Sequence, residues 1–138
     1  MFQTIIIAGN LGRDPEMRYT PGGQPVTNFS VAVSDNYTNS SGERVERTVW
    51  FRVSTWGKQA EVCNQYLKKG RKVLVEGRLV ADQSGGPRVY TKQDGTTASS
   101  FEISAVTVRF LSSRDEGEGG GGGGGGNYAQ SSADDIPF

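Results

Sequence analysis

Trp50-Phe51-Arg52-Val53-Ser54-Thr55-Trp56 alternates in character with a period of two, which makes it a β-strand with two unlike faces. Phe51 and Val53, with Val45 and Val49 before them, form an ordinary core face, and the strand is read from Arg44 to Trp56. Trp50, Arg52, Ser54 and Trp56 fall on the opposite face, where small polar groups are the usual occupants. Large aromatic side chains are mostly buried, so a subunit interface competes with an open face for the two tryptophans. The arginine between them favours the open face, because aromatic planes interleaved with cations suit a stacked nucleobase and its phosphate.

Upstream, Gln3 to Gly9 is a near-continuous apolar run centred on Ile5, Ile6 and Ile7, which predicts a strand buried on both faces and broken at Asn10-Leu11-Gly12. Arg13-Asp14-Pro15 signals a turn, Glu16 to Tyr19 a short extended piece, and Pro21-Gly22-Gly23 a tight connection. Phe29, Val31 and Val33 alternate with Ser30, Ala32 and Ser34 in a half-buried strand that ends near Tyr37, and Asn39 to Glu43 has the composition of a projecting hairpin loop. Downstream, Ala60, Cys63 and Leu67, with Tyr66 alongside, carry helical spacing, and Gly70 is placed for a left-handed C-terminal cap. Lys68, Lys69, Arg71 and Lys72 crowd that end, which helix-dipole stabilisation and phosphate contact explain equally. Lys72 to Val80 is a strand with Val73, Val75 and Leu79 on one face and a bend at Gly77. Arg88 to Lys92, a turn at Gln93-Asp94-Gly95, and Ser100 to Phe110 with Phe101, Ile103 and Ala105 alternating complete a hairpin. Three strands, a helix and two more strands is the element order of the OB-fold, an all-β class with one helix built as a five-stranded β-barrel.

The 138 residues carry no formal net charge, yet residues 1–110 hold 14 Lys and Arg against 10 Asp and Glu, a balance of +4, leaving −4 on residues 111–138. A basic body and an acidic tail are compatible with a polyanion ligand for the one and a different target for the other. Beyond Arg114 glycine, serine and acid dominate, so ordering the segment would not be repaid by burial and a disordered Gly-rich tail is expected. Its eight consecutive glycines make a tether with a reach on the order of 30 Å. Phe138 would end it with an apolar anchor beside the free carboxylate, and Asp134 and Asp135 would add charge that a basic partner surface can steer by.

The chain shows no bilayer-spanning run and no secretory signal, so it reads as cytoplasmic with no membrane partner. It has no histidine and one cysteine, Cys63, which removes the usual general base, the commonest metal ligand and any thiolate zinc cluster. Gly9-Asn10-Leu11-Gly12 lacks the Gly-Lys-Ser/Thr of a phosphate-binding loop, and Asp14 and Glu16 read as turn and surface residues. No cofactor, metal site or catalytic residue is expected. An RNA-binding or purely structural oligomer on the same barrel is the alternative to DNA binding.

Gly9-Asn10-Leu11-Gly12-Arg13-Asp14-Pro15-Glu16-Met17-Arg18-Tyr19 closely resembles the opening segment of bacterial single-stranded DNA-binding proteins. The resemblance continues in order through Asn28 to Val33, Trp50 to Val53, Trp56-Gly57-Lys58, Tyr66 to Gly70 and Val75-Glu76-Gly77, and closes on a tip-like Asp134-Asp135-Ile136-Pro137-Phe138. It implies an OB-fold domain over residues 1–110 that also oligomerises, a flexible linker over 111–133 and a partner-docking tip over 134–138. It further implies a homotetramer, nucleoid association, sequence-independent binding and protection of single-stranded DNA in replication, recombination and repair, and recruitment of DNA-processing proteins through the tip.

On this resemblance the base-stacking residues are Tyr37, Trp50, Trp56 and Tyr90. Trp56 stands where the family often has phenylalanine and Tyr37 where it often has tryptophan, both keeping a π-face. The hairpin bearing Tyr90 departs from the family pattern over Asp82 to Arg88 and Thr97 to Ser100. Phe51 replaces a histidine found near the subunit contact in some members, and the tip has two acids before Ile136 where relatives often have three. Arg52 and Lys58, beside the indoles, lead the candidates for phosphate contact. Arg18, Lys69, Arg71, Lys72, Arg78, Arg88 and Lys92 follow, with a solvated surface role as the competing reading for each.

Overall fold

The alternation around Trp50 is realised as a strand whose inner residues Val53 and Thr55 are fully buried while Trp50, Arg52 and Trp56 stay exposed. The structure, a computed structural model, describes residues 1–112; the remainder of the linker and the tip at 134–138 lie outside the described residues. Among the described residues nine strands and one helix follow in the order β1 (Ile5–Leu11), β2 (Glu16–Tyr19), β3 (Pro25–Ser34), β4 (Tyr37–Thr38), β5 (Arg44–Val45), β6 (Thr48–Trp56), α1 (Gly57–Tyr66), β7 (Lys72–Val80), β8 (Arg88–Thr91) and β9 (Thr97–Phe110).

Five strands close on themselves in the order β1-β7-β9-β6-β3 and back to β1, giving the expected OB-type barrel. All neighbours are antiparallel except β6 and β9, which run parallel through Phe51 opposite Phe101 to Ser54 opposite Ser104. Strand β2 adds to the edge of β3, while β4–β5 and β8–β9 project as two hairpins. The core comprises Ile7, Leu11, Phe29, Val31, Val53, Val73, Val75 and Ile103, joined by Cys63 and Leu67 from the helical segment.

Helix α1 is fastened by hydroxyls as well as apolar contact. The buried Thr27 hydroxyl donates to the Ala60 carbonyl at 2.6 Å, and Thr55 donates to the Thr27 carbonyl at 3.0 Å, so no buried polar group is stranded there. Burial pushes the Cys63 thiol up to about 12, with a hydrogen bond to Thr55 acting the other way, so this cysteine is an inert part of the core. Gly77 sits against β9 so closely that a Cβ would stand 2.2 Å from the Ser104 carbonyl oxygen. The β7–β9 register slips at Glu76/Gly77, leaving Val106 as the extra residue of a bulge. Gln59 spans that bulge, its side-chain oxygen accepting from the Val108 N–H at 2.9 Å.

Several local expectations need correction. The Ile5-Ile6-Ile7 strand is buried on one face only, with Ile7 inside and Ile6 60% exposed, and it continues through Asn10 and Leu11 instead of breaking there. A run of apolar residues carries no alternation from which to read its faces, so only the closed barrel decides them. Leu79 and Phe101 point to the barrel interior by register yet are half-exposed, because they lie at the end remote from α1. The strand read as Arg44 to Trp56 is interrupted at Glu46-Arg47. The helix ends at Tyr66 with Leu67 extended, so Gly70 belongs to the following turn, and no basic residue occupies the last helical turn.

Candidate nucleic-acid interface

The outer face of the β2-β3-β6 sheet is one continuous surface. Ladder register sets Trp50 opposite Ala32, Arg52 opposite Ser30, Ser54 opposite Asn28 and Trp56 opposite Val26, with Arg18 beyond Val26 on β2. Trp50 and Trp56 are separated along β6 by six residues, roughly 20 Å at about 3.3 Å each, so the two indoles cannot hold one base between them. Ser54 and Asn28 fill the middle, joined by a 2.7 Å hydrogen bond.

At the Trp50 end the surface deepens into a cleft of about 600 Å³. It is lined by the aromatics Trp50 and Tyr90 and the cations Arg13, Arg47 and Arg52, with Gly12, Ser30 and residues of β6 and β9 between them, among them Phe51 and Phe101 of the inner register. No acidic residue lines it, and the neighbouring Glu102 carboxylate is already engaged by Arg88 at 3.4 Å and by the Ser100 hydroxyl at 2.9 Å. Arg88 also lies 5.9 Å from the Tyr90 ring centroid, so it braces an aromatic as well as carrying charge.

Gly12 sets the position of the Trp50 indole. A Cβ there would stand 2.4 Å from Cζ3 of the ring, while the Gly12 N–H is held by the Ser30 carbonyl at 3.1 Å. The segment carrying Gly12 and Arg13 is itself anchored to the turn after α1. Asn10 donates to the Gly70 carbonyl at 3.0 Å, Gly70 donates to the Leu11 carbonyl at 2.9 Å, and Asp14 accepts the Lys69 N–H at 2.9 Å. Asp14 thus holds two chain segments together. Gly12→Ala is expected to push the indole aside, losing part of the roughly 1–3 kcal/mol of one base stack with little change in thermal midpoint. Titration with oligo(dT) checks this, and the substitution should have no further effect once Trp50 is alanine.

At the other end, local helix-building preferences are broken twice. Trp56 occupies the N-cap without a side-chain cap bond, where a short polar residue is preferred, and Lys58 puts a cation in a first turn that has no acid. Departures of this kind concentrate at functional positions. Trp56 and Arg18 flank Val26 across the ladder, Lys58 follows two residues after Trp56, and Arg18 lies 3.6 Å from Glu16.

The remaining candidates are spread around these two ends. Tyr37 lies on the β4–β5 hairpin with the Arg47 guanidinium 5.2 Å from its ring centroid. Lys92 is in the turn after β8, Lys69 and Arg71 follow α1, Lys72 opens β7, and Arg78 sits on β7 opposite Ser104. All four aromatic candidates are open, at 51% for Trp50, 39% for Trp56, 45% for Tyr37 and 41% for Tyr90, which disfavours a core role within this chain. Sequence reasoning missed Arg13, Arg47 and Phe101 as parts of the cleft. Arg13 lay inside a recognisable motif but read as a turn, and Phe101 alternated like a core residue.

The model of the single-strand binding protein family matches residues 2–111. Single-stranded DNA-binding proteins of Neisseria meningitidis serogroups A and B are 43% identical over 115 residues, covering 83% of this chain and 63% of theirs. Single-stranded DNA-binding protein 1 of Chlorobaculum tepidum is 42% identical over 115 residues, covering 83% of this chain and 68% of its own. The match thus spans less than two thirds of the Neisseria relatives. A crystal structure of a deletion mutant of the single-stranded DNA binding protein from Thermus aquaticus superposes with a TM-score of 0.63 at 32% identity, covering 81% of this chain and 51% of that one. With its family model matched across the whole barrel and these relatives aligned over most of its length, the chain belongs to the single-strand binding protein family.

Proposed function

We propose that this chain binds and protects single-stranded DNA without sequence preference. The observation that carries the reading is the half-exposed Trp50 indole, seated on Gly12 at the wall of a cleft lined by Arg13, Arg52 and the Asp35-paired Arg47, with no acid in its lining. A base offers its π-face whatever its identity, and the backbone offers phosphates at regular spacing, so stacking platforms among cations bind with low sequence preference. The proposed path leads over the sheet from the cleft to Trp56, with Tyr37 and Tyr90 as further platforms and Arg52 and Lys58 as the leading phosphate contacts. Tryptophan fluorescence titrated with oligo(dT), matched RNA and duplex DNA tests the reading, and equal binding of all three would overturn it.

Affinity should fall steeply with salt, with a slope of about −0.7 in log–log terms for each phosphate neutralised on a single strand. Arg52 and Arg13 make no ion pair among the described residues, so neither has to give up an acidic partner to meet DNA. Arg52→Ala is expected to flatten the slope by roughly one contact. An unchanged slope in salt titrations would place this side chain off the DNA path.

The proposal extends to a homotetramer that serves replication, recombination and repair at the nucleoid, with residues 134–138 recruiting DNA-processing proteins. Support for self-association comes from β1, which meets β3 only at Asn10 and Leu11 and leaves its Ile5–Ala8 edge without a neighbour on the side away from β7 among the described residues. Exposed Ile6 and Ala8 share the outer face there with half-buried Leu74. Unpaired apolar edges favour pairing with another strand. A mass of one chain by light scattering would overturn the tetramer.

A further inference from the structure

A break separates the barrel from the arm that carries Tyr37. The β3–β6 ladder ends at Ser34 opposite Thr48, and the β4–β5 ladder begins at Tyr37 opposite Val45. No rung of either ladder covers Asp35-Asn36 or Glu46-Arg47. Bonds between Asp35 and Arg47 take their place: the Asp35 N–H donates to the Arg47 carbonyl at 2.7 Å, Arg47 Nε donates to Asp35 Oδ2 at 3.1 Å, and Arg47 Nη2 donates to the same oxygen.

Beyond the break the arm is internally braced. Asn39 Oδ1 accepts from the Ser41 and Glu43 N–H groups at 3.0 and 2.9 Å, and the Asn39 N–H donates to the Glu43 carbonyl at 2.9 Å. A braced arm moves as a unit, so whatever holds its base sets the direction of Tyr37. Arg47 does this from a special place, because its guanidinium lies against the Tyr37 ring while the same residue forms part of the cleft wall beside Trp50 and Arg52.

We infer that Asp35 and Arg47 form a clamp that orients the Tyr37 arm relative to the cleft, making Asp35 a positioning residue for single-stranded DNA although it bears the charge that DNA repels. This rests on the function proposed above. Both side chains are about half-exposed, and exposed ion pairs contribute little to global stability, so the clamp acts on binding and not on folding. It also leaves one face of Tyr37 stacked on a cation and the other for a base, an arrangement in which the guanidinium strengthens the platform.

The sign of one substitution separates this from simple electrostatics. Removing a carboxylate from a DNA-binding face should tighten binding to a polyanion, whereas loss of the clamp should weaken it. Asp35→Asn is expected to bind oligo(dT) about three- to tenfold more weakly than the wild type, part of what the loss of a whole base stack costs. Its thermal midpoint should be unchanged. Arg47→Lys, which keeps the charge but lacks the planar fork, should weaken binding in the same way. In a Tyr37→Ala background neither substitution should weaken binding.

Asp35→Asn binding as tightly as the wild type or more so overturns the clamp. Equal weakening with and without Tyr37 also overturns it, since the effect would then bypass the arm. A wild-type chain that fails to bind oligo(dT) overturns the proposed function as well, whereas a wild type that binds, with an indifferent Asp35→Asn, overturns the clamp alone.

Discussion

Trp50→Ala is expected to weaken oligo(dT) binding by about 1–3 kcal/mol, the scale for loss of one base–aromatic stack. That is roughly five- to 150-fold in dissociation constant. Half the indole is already open to solvent and its near face rests on Gly12, so truncation exposes little core and the thermal midpoint should hardly move. Phenylalanine at the same position should restore most of the affinity, because stacking needs a π-face more than an indole N–H. Trp56→Ala should show a loss of the same order, and since the two positions are about 20 Å apart with no shared partner, the double variant should be close to additive. Undiminished affinity in the alanine variants at unchanged oligomer mass would defeat the stacking assignment. Dissociation of the oligomer would show instead that the indoles are subunit contacts.

Deletion of Asp134 to Phe138 is expected to abolish recruitment of DNA-processing proteins while leaving DNA affinity intact or slightly tighter. Asp134, Asp135, Ile136 and Phe138 combine two acids with apolar side chains downstream of eight consecutive glycines, a composition that suits capture by a basic pocket. An acidic tail also competes weakly with DNA for a basic body. Phe138→Ala should nearly match the deletion for recruitment, since it removes the anchor and keeps the charge. Pull-downs from a bacterial extract with intact and truncated chains decide the matter, and identical sets of bound proteins would reduce the tail to a solubilising appendage.

The chain's proposed work divides between two regions with different physics. The barrel presents fixed aromatic and cationic groups, so its variants should show in affinity and salt slope. The tip should act through recruitment, and its variants should leave both of those measurements nearly untouched. Asp35→Asn stands apart from both, as a substitution in which a lost negative charge is expected to weaken binding to a negative ligand.

Much of the candidate site was legible in the chain because it is written at short range. A period of two places Trp50, Arg52, Ser54 and Trp56 on one side of a strand whatever that strand packs against, and the opposite side, ending in Val53 and Thr55, is buried as that pattern requires. The helix, the two hairpins and the element order of the barrel follow from signals equally local. The tertiary structure alone decided which of the remaining residues meet. Arg13, Arg47 and Phe101 come to one cleft from separate parts of the chain, and no periodicity links positions so far apart. Ile6, Leu79 and Phe101 are as apolar as Ile7 and Ile103 but stay exposed, because burial depends on what lies opposite a side chain. That is settled when β6 and β9 close the barrel, and α1 covers only one of its ends.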